Sequence, residues 1–526
     1  MKLPIYYIIL LCFSVNLLAQ NEYHVFPVDD LSNPGTLNGN GTIENPWDLQ
    51  SALNHKEDVI KGGDIIWIHQ GVYNGRYTST LESNISDKKI TVSAFRNDKV
   101  VLNGNVESRQ EAVLTIYGAN VIYKNFEITC LGDLPRSVLE SSYKVISGLN
   151  HITGKDCEFI NLRIFNNTGF GFGSWKHAEA SIIEECVIYN NGSVANNGKG
   201  RGEGIYTQNK SDKTRIIQNN IIFNNYYKAI EVWSANKHAD YEYVKHFNID
   251  NNILFNSGLP AGFSYDNLII ATDDREGINI AKDISVTNNI FYHNTDIKNK
   301  EINGNAPSLT LGFHKNAPVE DIRVENNVII GRNNSLRIIN AKSLLFKNNF
   351  IYSGYIHNSP YLNNKQTDWH FENNSYFTKR SGAFRFHNTA TYSLKDWQNK
   401  VTSDVGSTWS HIKYFEAPKV LDLYRSRYNT KQFRVTLFDK LGDDVIVDFS
   451  EYSDLNNGRA YKIKNIETSA IIAEGVMDQS KQIVFEIGTY NNTNENFGVF
   501  FIEFEDQKEA EKRKTILGKF FKWLGF

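Results

Sequence analysis

Short apolar runs punctuated by asparagine pairs set the rhythm of this chain. Two such runs, Gly204-Ile205-Tyr206-Thr207-Gln208 and Ala229-Ile230-Glu231-Val232-Trp233, flank the segment Asn219-Asn220-Ile221-Ile222-Phe223-Asn224-Asn225. Read as strands, in which side chains alternate between faces, they place Ile205, Thr207, Ile230 and Val232 inward. Tyr206, Gln208, Glu231 and Trp233 then point outward, as a stripe of aromatics, amide and carboxylate.

The asparagine-asparagine-apolar pattern recurs at Asn251-Asn252-Ile253, Asn288-Asn289-Ile290, Asn326-Asn327-Val328, Asn348-Asn349-Phe350 and Asn373-Asn374-Ser375. Asn161-Leu162 and Glu185-Cys186-Val187 fill the same slot upstream. Intervals of roughly 22 to 38 residues are one supersecondary unit with loops of varying length. Asparagine tolerates left-handed backbone angles and bonds along a stack of identical turns, so the repeat predicts coil corners. Further strands are predicted over residues 63–73, 89–94, 99–102, 114–117 and 121–129, and a short helix over 47–55. The fold class is all-β: a right-handed single-stranded parallel β-helix over residues 20–405, each coil adding about 4.8 Å. Long inserts at 131–143, 193–202, 236–243 and 259–266 are expected on its outside. Past about residue 400 the repeat fades, and residues 414–506 read as a small C-terminal β-sandwich.

The termini add a localisation. Residues 1–19 have one early lysine, an apolar core and Ala19 near the end, as a secretory signal does, so a secreted or periplasmic protein cleaved after Ala19 is expected. The apolar run is short for a membrane span. Residues 507–526 form a basic amphipathic tail. A net charge of -3 with no earlier basic block argues against nucleic acid as a partner, and a monomer is expected. After signal removal Cys130, Cys157 and Cys186 remain, an odd set read as buried thiols.

The N-terminal stretch GDIIWIHQGVYNGRYTSTL and KKITVSAFRNDKVVLNG, the asparagine repeat and GEGIYTQN together resemble the secreted right-handed parallel β-helix proteins of the pectate-lyase-like superfamily, over about residues 22–400. The resemblance implies a polysaccharide-degrading enzyme, either a glycoside hydrolase or a polysaccharide lyase, with the C-terminal unit in support. Gly202-Glu203-Gly204 and Ile230-Glu231-Val232 only loosely match the asparagine-glycine-glutamate segment that leads to an arginine in the lyases.

Hydrolysis of a glycosidic bond needs two carboxyl groups. Glu231, Asp273 and Glu203 are the catalytic candidates, with one of Glu231 and Asp273 as general acid and the other as base. A mid-strand carboxylate has a partner or a task, and Glu231 has Lys228 and Arg201 as possible ion-pair partners. Trp175, Tyr206 and Trp233 offer flat platforms to a sugar, with Gln208 beside them. Arg201, Lys228, His238 and Arg275 bring positive charge suited to uronate or sulfate, and Asp274 stands either at the site or as a turn cap. Elimination from a uronic acid polymer is the alternative. Lys228 or His238 would then be the base, Tyr206 the proton donor, and calcium would be held through Glu203, Glu231 and Asp273. A second alternative is a non-catalytic carbohydrate-binding surface β-helix. Glu231→Gln is expected to abolish turnover and to leave the thermal unfolding midpoint nearly unchanged.

Overall fold

The structure is a computed structural model that describes residues 20–505 apart from residues 86, 295–306, 332, 359–367, 387–389, 416 and 491–495. The expected signal and basic tail lie outside the described residues. Among the described residues, no helix is long and apolar enough to cross a membrane.

Each coil contributes one strand to each of three sheets of twelve strands. In chain order one coil runs Ile182–Glu184 in the first sheet, Val187–Tyr189 in the second and Ile205–Thr207 in the third. Successive coils pair in parallel and in register. The inward residues make one continuous core from Val25 to Val401. The helix Leu49–Leu53 buries Leu49, Ala52 and Leu53 in that core, with Asp48 accepting from the Ser51 backbone N–H as its cap.

The asparagine pairs divide their labour. The first of each pair sits at the corner between the first and second sheets with φ between 51° and 59° (Asn219, Asn251, Asn288, Asn326, Asn348, Asn373), and Asn161 and Glu185 take the same conformation upstream. The second points inward and forms a ladder: Asn220 donates to Asn252, Asn252 to Asn289, Asn289 to Asn327, Asn327 to Asn349 and Asn349 to Asn374. Asn374 donates to Asp404 at 3.2 Å, so a buried carboxylate ends the stack. A second ladder, Asn167 to Asn191 to Asn225, lines the corner between the second and third sheets.

The last strand of the second sheet, Thr408–His411, pairs with Ser375–Thr378, so the β-helix extends past residue 405. The C-terminal unit has a five-stranded antiparallel sheet and the pair Val445–Asp448 and Gln482–Phe485, enclosing one core around Phe433, Val447, Phe485 and Phe500. It lies against the outer face of the second sheet, where Tyr189, Phe223, Phe255 and Tyr292 pack with Phe415, Phe438, Phe497 and Val499.

Candidate active site

The third sheet presents the stripe that the sequence predicts. Ile205, Thr207, Ile230 and Val232 are fully buried inside, and Tyr206 is in register with Glu231 on the next coil. The row continues through Ile269 and Thr310 to Arg337. A second line of charge lies at the corner leading into this sheet. Glu203, Lys228 and Asp266 each stand two residues before a strand, Ile205–Thr207, Ile230–Ser234 and Leu268–Thr272 respectively. Equivalent positions on adjacent coils are about 4.8 Å apart, so the three groups stack as carboxyl, amine and carboxyl.

Glycines make that corner possible. Gly202 has φ +92°, and a Cβ there would lie 2.5 Å from Gly192 Cα and 2.9 Å from the Gly169 carbonyl. The glycines beside Glu203 therefore let neighbouring coils close up around it.

Lys228 and Glu231 form an ion pair in which both side chains are under a tenth exposed. Burial, the largest single influence, lowers the Lys228 pKa, but Glu231, Tyr227 and Asp266 together outweigh it and raise it, so the amine stays protonated. Glu203 hydrogen-bonds Glu231, and its pKa is pushed up to about 8, first by burial, then by the Glu231 charge and the bond between them. Glu203 is thus an un-ionised acid at neutral pH beside a second carboxyl. Burial and then the same two carboxyls hold the Tyr206 hydroxyl above its ordinary range. Gln208 donates to Tyr206 Oη at 2.9 Å and to the Trp233 carbonyl at 3.1 Å.

Asp266, Thr310 and Arg337 join the site although no local pattern marks them. Arg337 donates to Asp266 at 2.7 Å and to Thr310 at 2.8 Å. Burial pushes the Asp266 pKa up, but Arg337 and Lys228 overcome it and hold the carboxyl below its usual range. The Tyr227 ring lies 4.4 Å from Lys228 Nζ, and Tyr265 packs edge-on against Tyr227. The signal that could have found Asp266 is its offset, two residues before a strand, shared with Glu203 and Lys228.

Trp175 meets the Tyr206 ring at 5.2 Å and donates to Asn150 at 2.8 Å. Trp233 lies edge-to-face with the exposed Phe313 at 5.0 Å. These rings flank the carboxyl pair. A cleft of about 470 Å³ opens on earlier coils of the same corner, lined in part by Arg76, Asp133, Leu134, Lys144 and Thr168.

Other candidates stand elsewhere. Asp273 follows Ile269, the residue paired with Glu231, by four positions, about 13 Å farther along the strand direction. It pairs with Arg275 at 2.6 Å, so the Glu231–Asp273 acid–base pair is not assembled. Asp274 is a loop cap, accepting from the backbone of Ala239, Ile278 and Asn279. His238 is exposed and bonded to Glu276 at 2.9 Å, away from the stripe. Arg201 is exposed in the hairpin Ser193–Val194 with Gly200–Arg201, at the rim. The oxygen donors considered for calcium, Glu203, Glu231 and Asp273, do not fit one ion: the first two bond each other and Lys228, and the third lies apart with its own arginine.

No protein-family model matches the chain, and no curated protein matches it in sequence. Among solved structures it is similar to a pectate lyase, Pel9A, at 14% identity over 74% of this chain and 80% of that one, with a TM-score of 0.42. It is also similar to XylC in complex with xylose, at 13% identity over 88% and 95% of the two chains, TM-score 0.45. For a rhamnogalacturonan lyase the values are 14%, 76%, 88% and 0.41. The likeness is one of fold. The fold is a parallel β-helix of three sheets.

Proposed function

We propose that this chain is an exported enzyme that hydrolyses glycosidic bonds of a polysaccharide at the Glu203–Glu231 pair. The observation that carries the reading is the placement of these two carboxyls against each other on adjacent coils, where burial and then the Glu231 neighbour keep Glu203 as an acid near neutrality and Lys228 pairs with Glu231. A hydrogen-bonded pair is closer than either glycosidase spacing, about 5 Å for retention and 6.5 Å or more for inversion. Substrate therefore enters between the two, and its glycosidic oxygen replaces Glu231 as acceptor of the Glu203 proton. Glu231, released, faces the sugar from the opposite side as nucleophile or base. Trp175, Tyr206 and Trp233 supply the walls.

Elimination is the weaker reading on this geometry. Its base would be Lys228, which Glu231 keeps protonated, or His238, which is off the stripe. Lys228, Arg275 and Arg337 each already face a carboxylate. An acidic substrate would therefore be met chiefly by Arg201 at the rim, and uronate polymers and neutral glycans belong side by side in the screen. New reducing ends without the ultraviolet absorbance of an unsaturated uronate are the expected result. Unsaturated products would establish elimination instead, and binding without any product would establish a carbohydrate-binding β-helix.

A further inference from the structure

Directly beneath the aromatic wall lies a buried cation that no step above uses. Arg215 begins the first-sheet strand Arg215–Gln218 and points into the coil interior, fully buried. No ion pair to a carboxylate is found for it among the described residues, and burial alone pulls its pKa down to about 9. A charge placed there needs strong compensation. Backbone carbonyls supply it.

The carbonyls come from an irregularity in the strand Phe172–Glu179. His151 pairs with Ser174, but the next pair is Thr153 with His177, so Trp175 and Lys176 together face only Ile152. This is a β-bulge, which bends a strand, takes backbone groups out of the ladder and re-aims a side chain. Arg215 closes the inner side. Its Nη1 donates to the Ser174 carbonyl at 3.0 Å and to Thr207 Oγ1 at 2.7 Å, and its Nε to Ser181 Oγ at 2.9 Å. It also donates to the carbonyls of Trp175, at 3.4 Å, and of Ala178 and Gln208. One guanidinium thus ties the bulge to the next coil. On the outer side, the same bulge turns the Trp175 ring onto Tyr206, and Gln208 donates to the Tyr206 hydroxyl.

We infer that Arg215 is a positioning residue for a saccharide-stacking subsite formed by Trp175 and Tyr206, acting from the interior through the bulge. The subsite rests on the polysaccharide reading above; the clamp does not. A planar fork with five donors suits several carbonyls at once, and a lysine cannot reproduce it.

The test has a ligand-free arm and a kinetic arm. The indole N–H resonance of Trp175, assigned by its loss in Trp175→Phe, is followed in Arg215→Met, Arg215→Lys and the gentler Thr207→Val, which removes one anchor. The expected result is a shifted or broadened Trp175 resonance with those of Trp369 and Trp397 unmoved. On the polymer that the parent cleaves, Arg215→Lys and Trp175→Ala should each raise KM about five- to tenfold with kcat within about twofold. The double variant should be no worse than Trp175→Ala alone. If Arg215→Met fails to fold, Arg215→Lys and Thr207→Val still decide. An unmoved indole resonance in both overturns the inference whatever the substrate. A moved resonance with unchanged KM, or additive losses, overturns the subsite. A moved resonance in a protein that neither binds nor cleaves any polymer overturns the function proposed above and leaves the clamp standing.

Discussion

The ionisation of Glu203 sets what the site can do at a given pH. With its pKa near 8, kcat/KM should fall as pH rises through about 8, because the proton donor is lost. Glu203→Gln should cost about 10²- to 10⁴-fold in kcat and leave no such limb, which a pH–rate profile checks. The same shift is linked to stability. The folded pKa lies above the unfolded value of about 4.3, so this contribution is complete below pH 4.3, declines as pH rises towards 8 and is flat beyond. Denaturant titrations from pH 5 to 9 should therefore show the parent losing stability relative to Glu203→Gln as pH rises. Glu231 carries two duties, which changes the expectation for its substitution. Because Lys228 is buried against it, Glu231→Gln should destabilise by about 3 kcal/mol as well as abolish turnover. The double variant Glu231→Gln, Lys228→Met should recover most of that stability and none of the activity. An unchanged midpoint in the single variant would mean that the ion pair contributes nothing.

At the scale of elements, the coil corner explains why so much of the architecture is legible from the chain. The asparagine pairs are local, and both of their functions, a left-handed φ and an inward ladder, follow from the asparagine side chain itself. They also predict different sensitivities. Asn289 accepts from the backbone N–H of Asn252 and donates to the Ile249 carbonyl, both at 2.9 Å and buried, so Asn289→Ala should cost about 2–4 kcal/mol by orphaning them. Asn288 has φ +57°, which glycine adopts freely, so Asn288→Gly should change stability by less than about 1 kcal/mol. Equal losses in denaturant unfolding would refute this division. The site was only half legible for a related reason. Tyr206 and Glu231 meet because their strands have equal spacing, which the pattern shows. Arg337 is four coils past Tyr206 and joins only through register, which loops of unequal length conceal. Asp273 misled because closeness in coil number hides displacement along the strand: adjacent coils lie about 5 Å apart, but four residues along one span about 13 Å.

For the whole molecule, the C-terminal unit is a cover for the β-helix rather than an independent appendage. Phe165, Tyr189, Phe223 and Phe255 stack at centroid spacings of 4.9 to 5.0 Å along the outer face of the second sheet, and Phe497 lies 4.0 Å from Tyr292 at the end of this row. An aromatic stripe of this length exposed to water would be an association surface. Polar anchors fix the register of the cover. Arg434, nearly fully buried, pairs with Asp422 at 2.7 Å and donates to the carbonyls of Asn219 and Asn251, two left-handed corners of adjacent coils. Glu184 receives Arg427 and Tyr428, while Glu185, which replaces asparagine at its own corner, receives Tyr424 and Ser426. That replacement marks where the two units meet. A chain ending after His411 keeps every coil and both asparagine ladders but uncovers the stripe, so it should bind an apolar dye and self-associate at concentrations where the full chain is monodisperse. Light scattering with dye fluorescence measures both. A soluble, dye-silent truncated helix with the parent's unfolding midpoint would show that the β-helix needs no cover, and that the aromatic stripe serves a purpose other than holding the two units together.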